Sequence, residues 1–238
     1  MMNPLPQELP PSSLDVVRDL ARRIFRDRPV EQTPLLASFA ASLVSRPQAL
    51  RVAYEMHAVV EAFPRFLAAL LANDLDPVLR SIVVDNLYEE QGRMHDAAVH
   101  LTTYRALLVE LGHRGPPSAI PRPSTGVVAY VRSMLDLCGR GPVAEAAAAL
   151  AVVEDHVARA SYVIGRWVAG ELPEAPDRHF RVHETLDLRH ADELYALAAH
   201  YWDAGLSRDV EHGIAMGSYL HRRLWADVFE TAFAGAVE

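Results

Sequence analysis

The chain contains no lysine; all 23 of its basic residues are arginine. Without a lysine amine there is no Schiff base, which excludes pyridoxal-phosphate chemistry. The Gly-rich run ending in Lys and Ser or Thr is also missing, so no phosphate-loop nucleotide site is expected. The single cysteine, Cys138, rules out an internal disulfide framework and fits a reducing, cytoplasmic setting. No apolar stretch approaches the roughly 20 residues that a membrane span needs, and no basic segment followed by an apolar run opens the chain as a signal peptide would. Excess positive charge is lacking too: a net charge of −8 argues against a nucleic-acid surface. Strand-like alternation appears nowhere.

What the sequence does hold is helical periodicity. Half of its 238 residues are hydrophobic, enough for one domain with a substantial core, spanning 13–238 after a loose, Pro-rich segment at 1–12. Ser12 or Ser13 caps a first helix with apolar positions Leu14, Val17, Ala21, Ile24 and Phe25. Further helices are expected near 33–45 and over 47–72, the latter kinked by Pro64. Asp76-Pro77 starts another, which runs to Glu90, and Gly92 interrupts the pattern before a helix at 94–112. The stretch 113–125 is a loop. Helices at 126–138, 142–169, 177–203 and 207–233 complete an all-α bundle of about eight or nine helices, with a turn at 172–176.

Several polar residues sit where that pattern wants apolar ones. At about 100° per residue, His183, Asp187 and His190 share a narrow stripe that continues through Leu194, Leu197 and Tyr201. A carboxylate entering a core stripe needs a partner or a metal. Glu154 lies on the small apolar face formed by Leu150, Val157, Ala158 and Ser161, with no cation nearby in sequence; the bland alternative is a helix-edge carboxylate that reaches water. In Asn86-Leu87-Tyr88-Glu89-Glu90-Gln91-Gly92 a straight helix puts Glu89 on the face of His100, whereas a break at Gly92 frees Glu90 to converge with it. Periodicity alone does not choose between the two acids. Three carboxylates and three imidazoles from several helices form a mixed oxygen and nitrogen set, which suits iron or manganese better than structural zinc. Tyr54, His57 and Glu61 form a weaker stripe, equally readable as half-exposed polarity. His179, one turn before His183, is placed at the mouth of the site; His95, His113, His156, His200, His212 and His221 lack a partner pattern and read as surface or satisfied core residues.

The order Asn-Leu-Tyr-Glu-Glu-Gln-Gly, His100, a lone inward Glu, then His-x3-Asp-x2-His resembles the haem-oxygenase-like dimetal oxidases over roughly residues 50–230. These share the fold of haem oxygenase, the thiaminase TenA and PqqC, and bind two non-haem metal ions. The resemblance implies Glu90, His100, Glu154, His183, Asp187 and His190 as ligands, taking the second acid before Gln-Gly, with Glu61 as a further carboxylate ligand in some members. It implies two Fe(II) ions, or manganese, with O2 as co-substrate, a small-molecule substrate, an external electron donor and, as one assembly, a homodimer. Haem is not expected, because no histidine precedes His57. Cys138 lacks the surroundings of a thiaminase nucleophile, and PqqC has no such metal centre. Self-sacrificing para-aminobenzoate synthases use a lysine that is absent here. The expected reaction is C–H or N–H oxidation of an aliphatic amino acid in natural-product biosynthesis: desaturation, fragmentation, cyclisation or N-oxygenation. The grounds are that Tyr54, His57 and Glu61 could receive an ammonium and that no exceptional apolar run suggests an acyl tunnel. Fatty-acid decarboxylation is the alternative within the family; a binding module without a working metal centre is the alternative outside it.

Overall fold

The computed structural model describes residues 12–173 and 179–234. Nine α-helices form among the described residues: α1 Ser13–Asp27, α2 Pro34–Ala40, α3 Arg46–Leu71, α4 Pro77–Glu90, α5 His100–Leu111, α6 Thr125–Arg140, α7 Val143–Glu171, α8 His179–Asp203 and α9 Ser207–Phe233. Most of the expected loose N-terminal segment and part of the 172–176 turn lie outside these residues.

The ends obey local chemistry. Ser12 and Asp15 close a reciprocal capping box on α1, satisfying two N–H groups that the helix leaves open. Pro34 and Pro77 occupy first-turn positions, where their missing N–H costs nothing. The helix expected over 33–45 is shorter, ending at Ala40, with Ser42 in left-handed backbone (φ 54°). α3 runs without interruption through Pro64. Of the helix expected from 94, only the part from His100 forms. Gly92, Arg93 and Met94 have φ of 68°, 49° and 69°, a run of left-handed residues that no helix tolerates.

α7 is the axis of the bundle. Its run from Ala144 to Glu154 is buried apart from Glu145, as expected of a helix that is apolar nearly all round. It packs most extensively against α8 and then α9. α9 comes close because Gly213 and Gly217 face α7; a Cβ on Gly217 would lie 2.6 Å from the Ala149 carbonyl oxygen. Leu150 of α7, Leu194 and Leu197 of α8, and Met134 of α6 are fully buried in the core. Each stabilises by about 1.5–3 kcal/mol relative to exposure. That rigid apolar frame carries the buried charges described next.

Candidate metal centre

Six side chains converge in two groups. The ligand atoms of Glu90, His100 and His183 lie within 4.8 Å of one another, as do those of Glu154, Asp187 and His190. None of the six residues is more than 7% exposed. Glu90 is the last residue of α4 and His100 the first of α5, so the break between these helices aims both at α8. Glycine is required there: a Cβ on Gly92 would stand 2.5 Å from the Val99 nitrogen, in addition to the strain of its positive φ. The acids of the pair separate accordingly. Glu89 accepts from Arg93 at 2.5 Å and from Arg189 at 2.9 Å on the outer side, and only Glu90 enters the site.

The first triad has one carboxylate and two imidazoles. Glu90 Oε1 lies 2.9 Å from His100 Nδ1, but the pair is not aligned as a hydrogen bond, and His100 Nδ1 has no partner. Burial works to raise the Glu90 carboxyl; the nearby His100, His183 and His190 outweigh it and hold the group below its ordinary value. The His179 carbonyl accepts from His183 Nδ1 at 2.6 Å, which fixes the tautomer and leaves the Nε2 lone pair facing inward. Burial, aided by His100, lowers His183 to about 4, so it stays neutral and able to ligate.

The second triad has two carboxylates and one imidazole. Glu154 Oε1 accepts from Asn86 Nδ2 at 2.7 Å and lies 3.7 Å from His190 Nδ1. Burial, and then the repulsion among Glu154, Glu90 and Asp187, pushes both Glu154 and Asp187 well above the usual carboxylate range. Burial lowers His190 to about 4. Both Asp187 oxygens and His190 Nδ1 are buried without a hydrogen-bond partner. Polar atoms are seldom buried in that condition, because an unpaired charge there costs several kcal/mol (order of magnitude). A divalent cation in each triad would supply what these atoms lack, so the residues fit a dimetal site. Carboxylate and imidazole donors without sulfur suit iron or manganese.

The triads border an apolar cavity of about 90 Å3 that is partly open to solvent. Met56, Phe63, Leu107, Ile164, Trp167 and Phe180 are among its walls, and Glu90, Glu154, His183 and Asp187 form its polar end. Among the described residues no arginine lines it.

The remaining candidates lie elsewhere. Glu61 pairs with Arg105 at 3.6 Å, has a side chain 57% exposed, and belongs to neither triad. His57 Nε2 accepts from Arg105 Nε at 3.2 Å, and Tyr54 Oη lies 3.0 Å from His113 Nδ1. Partners from α5 and the following loop thus take up the whole stripe, and none of its three residues lines the cavity. Cys138 is buried, and burial pushes its thiol up to about 12, so no thiolate nucleophile is available. His179 does line the cavity. His95, His200 and His212 are exposed. His156 and His221 correct the expectation: both are wholly buried and stacked with centroids 5.4 Å apart, and neither has a hydrogen bond on either ring nitrogen. Sequence reasoning gave no role to Asn86, although its place one turn before Glu90, on the same helix face, was a usable signal.

The fold is that of haem-oxygenase-like proteins. The chain superposes on a CADD-like protein of unknown function from Nostoc punctiforme with a TM-score of 0.77, at 16% identity, covering 92% of this chain and 98% of that one. A TenA homologue from P. horikoshii OT3 gives 0.71 at 14% identity, covering 93% and 100%. In sequence, the chain is 27% identical over 154 residues to the 4-aminobenzoate synthase of Chlamydia trachomatis, covering 63% of this chain and 64% of that protein's length. Residues 50–222 match the family described as iron-containing redox enzymes. The region matched takes in all six buried ligand candidates, and the chain belongs to that family of iron-containing redox enzymes.

Proposed function

We propose that this chain is an O2-dependent non-haem diiron oxidase acting on a small molecule with an aliphatic body. The observation that carries the reading is the pair of buried carboxylate–imidazole triads opening on one apolar cavity. Glu90, His100 and His183 would hold one ion; Glu154, Asp187 and His190 would hold the other. Iron bound there supplies the O2 chemistry and the oxidising power for a C–H or N–H bond, with electrons from an external donor. The protein's own contribution is placement. The three carboxylates neutralise cation charge, the His179 carbonyl sets the His183 tautomer, and Asn86 orients Glu154. Apolar walls surround the polar end and keep its residues buried.

The substrate reading is an aliphatic amino acid, whose side chain suits the apolar walls. A fatty acid is the second reading, favoured by a lining that, among the described residues, is largely apolar and includes none of the Tyr54, His57 and Glu61 stripe for an ammonium. Synthesis of 4-aminobenzoate, the activity in the name of the Chlamydia relative, is disfavoured by the lack of lysine. Anaerobic titration with Fe(II) should saturate at two ions per chain, and O2 should then give transient visible absorption and O2 uptake. Mass spectrometry after incubation with aliphatic amino acids and with dodecanoate separates the substrates. Failure to take up iron, or uptake unchanged in His190→Ala, would instead favour a binding module that has kept the fold.

A further inference from the structure

His179 belongs to neither triad, yet it lines the same cavity as Glu90, Glu154, His183 and Asp187. Its ring packs 4.2 Å from that of His183 and 4.8 Å from that of Tyr104, and it is 7% exposed. The hydroxyl of Thr103 fixes its tautomer. Thr103 Oγ1 donates to the His100 carbonyl at 2.9 Å and lies 3.0 Å from His179 Nδ1. One hydroxyl has one proton. With that proton on the carbonyl, Oγ1 can only accept, so Nδ1 of His179 must be the N–H. No other arrangement keeps both bonds. In a neutral imidazole protonated at Nδ1, Nε2 carries a lone pair. Among the described residues nothing donates to that nitrogen, whereas the hydroxyl of neighbouring Tyr104 is taken up by the Ala53 carbonyl at 3.1 Å.

We propose that His179 Nε2 accepts an N–H or O–H from the polar end of the substrate. The cavity is thereby selective for aliphatic molecules that carry a donor, an amine or a hydroxyl, over chains whose only polar group is a carboxylate. An ionised carboxylate offers no proton, and its oxygens would face the lone pair. The inference rests on the reading of this cavity as the substrate site, and it favours the amino acid over the fatty acid.

Two isomers provide the probe: n-octanol, which has a donor, and heptyl methyl ether, which has none. Calorimetry on the metal-free chain should show the alcohol binding about fivefold to tenfold more tightly, the effect of one neutral hydrogen bond in a dry site. In His179→Phe that ratio should fall to about one with ether affinity retained; His179→Gln, which keeps a carbonyl acceptor, should restore part of it. On the wild-type chain, 15N spectra of the imidazole should show unprotonated Nε2, with its resonance shifting on addition of octanol but not of the ether. That readout does not depend on how the variants fold. A proton found on Nε2, or an alcohol preference undiminished in His179→Phe, overturns the proposal. Because no metal is present, these outcomes are separate from iron uptake, whose failure would sink the diiron reading alone. With iron and O2, amino acids, amines and alcohols assayed in parallel identify which donor class is turned over. Turnover confined to dodecanoate and unaffected by His179→Phe would also overturn it.

Discussion

The two triads have the same number of donors but opposite electrostatic problems. In the first, two imidazoles face one carboxylate, and Glu90 stays ionised despite burial. In the second, Glu154 and Asp187 are buried and repel each other with His190 as the one imidazole of the triad, and both are driven toward the protonated form. The first site is thus ready for a cation, whereas the second must shed protons to take one. They also differ in construction. The first depends on a backbone break between α4 and α5; the second is set on unbroken stretches of α7 and α8.

The strongest way to break this comparison is to delete one ligand from each triad. Glu90→Ala and Asp187→Ala should each reduce iron from two ions per chain to about one, measured by metal analysis after anaerobic loading. Each should lower oxidase activity by more than about 100-fold, beyond the loss typical of an outer-sphere partner. If Mössbauer spectra showed the same ion lost in both variants, the division into two triads would be wrong.

Gly92→Ala should be the next largest perturbation, and it should act on one side only. The left-handed φ and the collision with Val99 together demand backbone movement at the junction that holds Glu90 and His100. Strain of this kind costs about 1–3 kcal/mol. In a chain of this size each kcal/mol lowers Tm by about 2–4 °C. Calorimetry should record that fall, and metal analysis should find the second ion retained.

That junction also shows where sequence reasoning reached its limit. The helices, a cap at Ser12 or Ser13 and the inward stripe of α8 could be read from local patterns, because caps and a 3.6-residue period are local physics. The choice between Glu89 and Glu90 could not, since a straight helix and a broken one point different acids inward. Only the resemblance selected Glu90. The left-handed run at 92–94 and the neighbouring Arg93 and Arg189, which draw Glu89 outward, are its physical basis. His156 and His221 were out of reach for a different reason. Nothing near either residue in sequence signals the other; they meet because Gly213 and Gly217 let α9 press on α7.

A smaller effect, with a distinctive sign, should come from Asp187→Asn. A carboxyl raised in the folded state binds its proton more tightly there than in the unfolded chain. For the metal-free protein, stability therefore falls as pH rises from the unfolded carboxyl value, near 4, toward the higher folded values of Glu154 and Asp187. Neutralising Asp187 removes part of that loss. Metal-free Asp187→Asn should melt a few degrees above wild type at neutral pH and should converge with it in acid. Iron should reverse the order, stabilising wild type more than the variant, because binding is coupled to proton release. Melting curves across pH with and without metal test both signs.

The smallest effect should come from Glu61→Gln, and it is the sharpest check on which carboxylates belong to the centre. Three buried acids serve the triads, whereas Glu61 is a fourth that the resemblance offered as a ligand. Its carboxylate is more than half exposed and is engaged by Arg105, which is itself in contact with His57. An exposed pair of that kind contributes about 0–1 kcal/mol. Glu61→Gln should therefore leave iron at two ions per chain, leave Mössbauer parameters unchanged, and move Tm by no more than about 4 °C. A lost or altered iron signal in this variant would mean that α3 swings its carboxylate inward when metal binds, and that the second triad recruits a further acid despite its excess of negative charge.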